Sequence, residues 1–228
     1  ILAGDHLKSA SDLGVPIIAV GLLYQMGYFR QQITQGGWQN ESYYENDFFS
    51  MPMSLVRRAN GDPIVIDVQL KTAKCYAHIW QVQVGRVSLY LLDTNVPYNS
   101  EIPQYQVITN QLYGGNSETR IQQEILLGIG GIRALRELGI HPTIIHINEG
   151  HAAFAALECA RFIMQDYSLD FRTAVELTHA GLIFTTHTPV PAGNEVFPAS
   201  LLDKYFDGYW QQLGLQKEEF LMLGNLDG

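Results

Sequence analysis

The stretch TIIHINEGHAAFAALECARFIMQDYSLDFRTAVELTHAGLIFTTHT, residues 143–188, decides the fold class. It opens on one short apolar run, TIIHI, and closes on another, LIFTT at 182–186. Apolar runs of that length, bounded by turn signals, read as buried strands. Between them the apolar spacing predicts one helix from about Glu149 to Gln165 and a second from Asp170 to Ala180. Strand, helices and strand in series make a parallel crossover unit, so this half of the chain reads as α/β.

In open parallel sheets, ligands bind beyond the carboxyl ends of the strands. That rule selects HINEGH (146–151) after the first strand and THTPVPAG (186–193) after the second. If the strands are neighbours, His151 and His187 share a rim. A metal site is disfavoured, because His146 and His151 lack the i, i+4 spacing of a zinc helix and no paired-cysteine motif exists. A glycosidase-like acid/base pair would need Glu149 and a partner about 5 to 9.5 Å away, for which Asp5 and Glu195 are conceivable but unselected. The structural alternative makes Asn148 a helix cap and Glu149 a complement to the helix dipole. Around His187, Thr185, Thr186 and Thr188 supply hydroxyls while Pro189 and Pro191 remove backbone donors. Such a rigid polar turn suits a hydroxyl-rich ligand such as a sugar. His6, His78, His141 and His179 have no motif around them.

Outward from this stretch, residues 5–14 read as a helix closed by Gly14, and Val15 to Val20 as a buried strand. The aromatic, glycine-rich segment 21–44 shows no period and is expected to wrap a core. From residue 60 to 95 the runs IVIDVQL, CYAHIWQVQ and VSLYLLD alternate, predicting an antiparallel β excursion with a turn at Gly85-Arg86. Asn95 to Gly115 reads as a long polar loop. The following helix places Ile121, Ile125, Ile129, Ile132 and Leu135 on one face and closes at Gly139. Its GIGGIRAL (128–135) imitates a dinucleotide loop, but a true one follows a strand and opens a helix. The glycines are therefore expected to admit a close neighbour. A last helix is predicted from Ala199 to Gln212.

The chain has 228 residues, 46% of them hydrophobic and 16% charged, which suits one large or two small globular domains. Its net charge of −9 argues against nucleic acid or an anionic membrane as the main partner. Cys75 and Cys159, far apart and in apolar contexts, read as reduced buried thiols of a cytosolic protein. No apolar run approaches the ~20 residues of a membrane span. The opening ILAGDHLKSASDLG reads as text from inside a domain, and a fragment is expected.

Six ordered blocks, LAGDHLKSASDLG, GLLYQMGYFRQ, GGWQ, LYGGNSETRIQQEILLGIGGIRALRELGI, HINEGHAAF and THTPVPAG, resemble the shorter α-glucan (glycogen, starch or maltodextrin) phosphorylases. The resemblance runs from Ile1 to about Leu223. It implies a type B glycosyltransferase fold, two Rossmann-like domains facing a cleft, with residues 1–228 forming part of the N-terminal, glucan-side domain. It implies phosphorolysis of α-1,4-glucan to glucose 1-phosphate with retention, in the cytoplasm. Pyridoxal 5′-phosphate would be attached to a C-terminal domain outside this chain, and its phosphate would exchange a proton with the substrate phosphate. By motif match, His187 would contact the glucosyl unit through its ring or backbone carbonyl. Asn148, Glu149, His151, Thr186 and Thr188 would line the same subsite, and Gly4 and Asp5 would shape the anion side. Implied partners are glucan, inorganic phosphate, the C-terminal domain and a possible second copy. The isolated chain would be inactive. Two rivals remain open: a nucleotide-sugar glycosyltransferase of the same architecture, and a non-catalytic glucan-binding module.

Overall fold

The computed structural model describes residues 2–112, 114–189 and 195–224, so Pro191 of the expected stiff loop lies outside the described residues. The chain is mixed α/β and packs as two compact units. One takes the residues up to Ile66 with Tyr76–Thr119; the other takes Asp67–Cys75 with the residues from Arg120 onward.

In the first unit, helix α1 (Leu2–Leu13) precedes strand β1 (Ile18–Leu22). The strand begins later than Val15 because Pro16 has no N–H to give to a ladder. Strands β2 (Arg30–Ile33) and β3 (Gln39–Ser42) form a separate antiparallel hairpin. This aromatic segment does not wrap a core: Tyr28 is 71% and Trp38 78% exposed. Strands β4 (Met53–Leu55), β5 (Val65–Leu70), β6 (Ala73–Val84) and β7 (Val87–Asp93) follow; the order is β1-β7-β6-β4, and β5, which pairs with β6, carries the chain into the 67–75 segment of the second unit. β6 runs antiparallel to both β7 and β4, whereas β1 joins β7 in parallel. Leu7 and Ala10 of α1 pack against Val87 beneath it. The residues after Asn95 are not the polar loop expected. They include a short helix α2 (Pro103–Gln106), and buried Asn99 pairs with the backbone of Tyr76 in both directions, at 2.9 and 2.8 Å. A side-chain amide there does the work of a strand neighbour.

In the second unit, the expected single helix after Ser117 is three pieces. Helix α3 (Ser117–Ile125) passes into a π-helical turn, Leu126–Gly130, and then α4 (Gly131–Glu137). A π turn inserts a residue and rotates the face that follows. Ile121, Ile125 and Ile129 are buried, but beyond the turn Ala134 takes the core position while Ile132 and Leu135 are only half-buried. The reason for glycine at 128 is distance: a Cβ there would lie 2.8 Å from the backbone nitrogen of Ala155.

Strand β8 (Ile145–Asn148), helices α5 (Phe154–Tyr167) and α6 (Phe171–Ala180), and strand β9 (Leu182–Thr185) form the crossover. β8 and β9 are parallel neighbours, with Asn148 opposite Thr185. Asp170 caps α6 by accepting from the N–H of Thr173 at 2.8 Å. The strands are less buried than their apolar text predicts: Ile147 faces the core, yet Ile183 and Phe184 are 48% and 55% exposed. Gly208, at φ 84°, breaks the last predicted helix into α7 (Ala199–Phe206) and α8 (Tyr209–Gln212), and α9 (Lys217–Met222) follows. Under α5 the fully buried Glu158 accepts from Arg133 Nε at 2.7 Å, Arg161 Nη2 at 2.7 Å and Tyr209 OH at 2.8 Å.

Candidate active-site rim

The carboxyl ends of β8 and β9 meet in the second unit. The ladder continues one step past the strands, Glu149 N–H donating to the Thr185 carbonyl at 2.9 Å. The chain then turns sharply, because Glu149 sits at φ 57°, ψ −170°. That left-handed backbone is costly for a side chain with a Cβ, and such outliers persist where the surroundings over-determine them. Here the surroundings are the other rim. The Glu149 carboxylate accepts from the backbone N–H groups of His187 and of Thr188, the latter at 2.8 Å. It also takes the hydroxyls of Thr188 at 3.1 Å and Thr186 at 3.2 Å. The His187 N–H bond foremost, with those from Thr188 and Thr186, holds the Glu149 carboxyl below the ordinary carboxylate range.

This geometry displaces two of the sequence-level options. Neither Asn148 nor Glu149 caps a helix; a 3₁₀ turn, Gly150–Ala152, intervenes without a side-chain cap and delays α5 to Phe154. Both oxygens of Glu149 accept hydrogen bonds from the 186–188 segment. It is a clamp joining the two strand ends. Glu195, its conceivable carboxylate partner, pairs instead with Arg120 at 3.4 Å.

His187 is exposed, and its Nε2 lies 3.2 Å from Asn148 Oδ1. An amide oxygen only accepts, so Nε2 is the donor at this contact, and in the neutral ring Nδ1 is the acceptor. Asn148 thus selects the tautomer that His187 offers. His151, in the turn before α5, has Nδ1 3.4 Å from Arg120 Nη2 and 3.6 Å from Glu124 Oε1. His146 bonds Thr185 Oγ1 at 2.6 Å, a tie across the two strands. Thr186 is exposed beside His187, and Thr188 is half-buried. Gly4 and Asp5 are not among these contacts: they occupy the first turn of α1 in the other unit, exposed, with open space where a Gly4 Cβ would be.

Arg120 and Glu124 were not selected from the sequence. Glu124 carried a signal, since it stands three residues after Ile121 on the apolar stripe of α3 and is 6% exposed. Two cavities of this unit, of about 210 and 300 Å³, are lined by other residues.

The carbohydrate phosphorylase family model matches residues 132–217, which includes both strand ends. The chain is 48% identical over its whole length to glycogen phosphorylase of Mycobacterium tuberculosis, covering 28% of that protein. It is 48% identical to maltodextrin phosphorylase of Thermococcus litoralis, over 98% of the chain and 26% of that protein. The chain is thus similar to carbohydrate phosphorylases along its whole length. A glycogen phosphorylase of Aquifex aeolicus is 35% identical over 98% of the chain. The sequence therefore spans less than a third of the M. tuberculosis relative's length. Its strained glutamate and the histidine beside it fall within the matched segment.

Proposed function

We propose that the chain supplies the glucan-side rim of an α-glucan phosphorylase, a retaining glycosyltransferase that cleaves α-1,4-glucan with inorganic phosphate to give glucose 1-phosphate. The observation that carries this reading is the Glu149 clamp, which joins HINEGH to THT in a chain similar throughout to glycogen and maltodextrin phosphorylases. In this reading the second unit belongs to an N-terminal Rossmann-like domain of a type B glycosyltransferase. The rest of the protein, including a C-terminal domain, completes the cleft.

Each rim residue then has a task set by its contacts. His187 engages the glucosyl unit, with its ring held by Asn148. Glu149 fixes the 186–188 backbone so that His187 keeps its place. Thr186 and Thr188 lend hydroxyls to the same turn, and His151 orients sugar or phosphate oxygens; the anion-side role of Gly4 and Asp5 rests on the sequence resemblance alone, since they lie in the other unit. Glucan and phosphate are the substrates, the compartment is the cytoplasm, and a second copy is a possible partner.

Pyridoxal phosphate, which the family reading implies, finds no suitable lysine here. A lysine that bonds a carbonyl must lose its charge, which desolvation promotes. None of the five lysines is buried. Lys74 pairs with Asp67 and Lys217 with Asp203, while Lys71 and Lys204 lie near the ring of Tyr205. In this reading the cofactor is attached in another part of the full-length protein.

The test is glucose 1-phosphate release by the full-length protein given maltodextrin and phosphate, with nucleotide-sugar turnover assayed in parallel. Phosphate-dependent release supports the reading. Transfer from a nucleotide sugar alone, or glucan binding without turnover, replaces it with one of the two rivals. His187→Ala is expected to lower kcat/KM roughly 5- to 150-fold, the equivalent of ~1–3 kcal/mol of lost hydrogen bonding. An unchanged kcat/KM would remove His187 from the site.

A further inference from the structure

We infer that Glu124 is the positioning residue for His151, deciding which imidazole nitrogen carries the proton. This deepens the role proposed for His151 and rests on that reading. Glu124 is buried at 6% exposure, and its Oε1 accepts no hydrogen bond among the described residues. A buried carboxylate oxygen left unbonded is costly and calls for an explanation. The His151 Nδ1 stands 3.6 Å from that oxygen.

The same Nδ1 is 3.4 Å from Arg120 Nη2, and it cannot serve both neighbours. With a lone pair at Nδ1, Arg120 donates to it and Glu124 Oε1 is left without a donor. With a proton at Nδ1, the imidazole donates to Oε1 after a small ring movement. Arg120 has a second partner in Glu195, at 3.4 Å, so it loses little in the second arrangement. Oε1 has no such alternative. The arrangement that leaves Oε1 bonded is Nδ1–H to Glu124, and in the neutral ring it makes Nε2 the acceptor.

The consequence is chemical. Asn148 fixes His187 with its proton on Nε2 and an acceptor at Nδ1; Glu124 fixes His151 the other way round. Both imidazoles then offer a lone pair, and the class of group they suit is a hydroxyl donor such as a sugar OH. Glu124 touches no substrate in this scheme and acts through His151.

Neutron diffraction from deuterium-exchanged crystals of the full-length protein locates the His151 proton directly. Deuterium on Nδ1 alone, directed at Glu124 Oε1, is the expected result; deuterium on Nε2 alone, or on both nitrogens, overturns the inference. Kinetics supply a second readout. Glu124→Met is expected to lower kcat/KM for maltodextrin about tenfold, but less than about twofold in a His151→Asn background. Glu124→Gln, whose carbonyl can still accept, should recover most of the loss. Equal losses in both backgrounds would make Glu124 merely structural and sink the proposal. A full-length protein that releases no glucose 1-phosphate would defeat the phosphorylase reading, while the neutron map would still decide the role of Glu124.

Discussion

Glu158→Gln in α5 tests whether the second unit is held together by a charge network or only by packing. Burial alone would raise the Glu158 carboxyl, but Arg161 and Arg133 outweigh it and hold the group below the ordinary carboxylate range. A glutamine carbonyl in the Oε1 position could keep the bonds from Arg133 and Arg161 Nη2. Its amide would then face Arg161 Nε, now 2.9 Å from Oε2, and the Tyr209 hydroxyl. The hydroxyl can turn and accept; the guanidinium cannot. One charge-assisted bond is lost, and two guanidinium groups lose their shared counter-charge. Breaking a buried pair costs ~3–5 kcal/mol. The Arg133 and Arg161 side chains are 22% and 16% exposed, so water reaches them and the lower end applies, about 3 kcal/mol. For a chain of this size that lowers Tm by about 6 to 12 °C, measured by scanning calorimetry with circular dichroism alongside. A fall of under about 2 °C would refute the reasoning. A triple variant, Glu158→Leu with Arg133→Met and Arg161→Met, should regain much of the loss, because no charge is then left uncompensated. The pH dependence has a definite sign. A carboxyl depressed in the folded state stabilises above its unfolded pKa and loses that contribution as pH falls through its folded one. The gap between wild type and Glu158→Gln should therefore narrow below about pH 4.

Three further outcomes follow from the structure. Glu149→Ala releases both backbone N–H groups of the 186–188 segment, and initial rates of glucose 1-phosphate formation by the full-length protein should fall about a hundredfold, with Glu149→Gln losing much less. Gly128→Ala puts a Cβ 2.8 Å from Ala155 N, and thermal unfolding should show destabilisation of about 1–3 kcal/mol despite alanine's better helix propensity. Burial pushes the Cys159 thiol up to about 12, and Cys75 is fully buried, so neither should react with iodoacetamide at pH 8 until the chain is denatured; mass spectrometry checks this.

Much of the mixed α/β character was written into the sequence. The alternation of IVIDVQL and CYAHIWQVQ is a local record of strands with one buried face. The apolar runs flanking two amphipathic helices leave few ways to connect except a parallel crossover. The same logic put HINEGH and THTPVPAG on one rim if the two strands are neighbours, and β8 and β9 do pair in parallel. Local patterns fail where one residue changes the phase of those that follow. The π turn at Leu126–Gly130 moved the buried face from Ile132 and Leu135 to Ala134, and Gly208 cut the last helix in two. Asn99, read as loop, became a buried substitute for a strand because its partner lies 23 residues away, at Tyr76.

The rim shows the division most clearly. The sequence by itself determined which residues stand at the two strand ends, because strand direction and the crossover rule need only local periodicity. Only the tertiary structure decided what they do there. Glu149 reads as a helix-end carboxylate or an acid/base candidate until its four acceptor contacts across a 37–39-residue separation make it a clamp. The tautomer of His187 depends on Asn148, 39 positions earlier, and the unsatisfied oxygen of Glu124 has meaning only beside His151. Hydrogen bonds and burial are properties of distance in space, and the chain order records that distance only when the partners are neighbours in sequence.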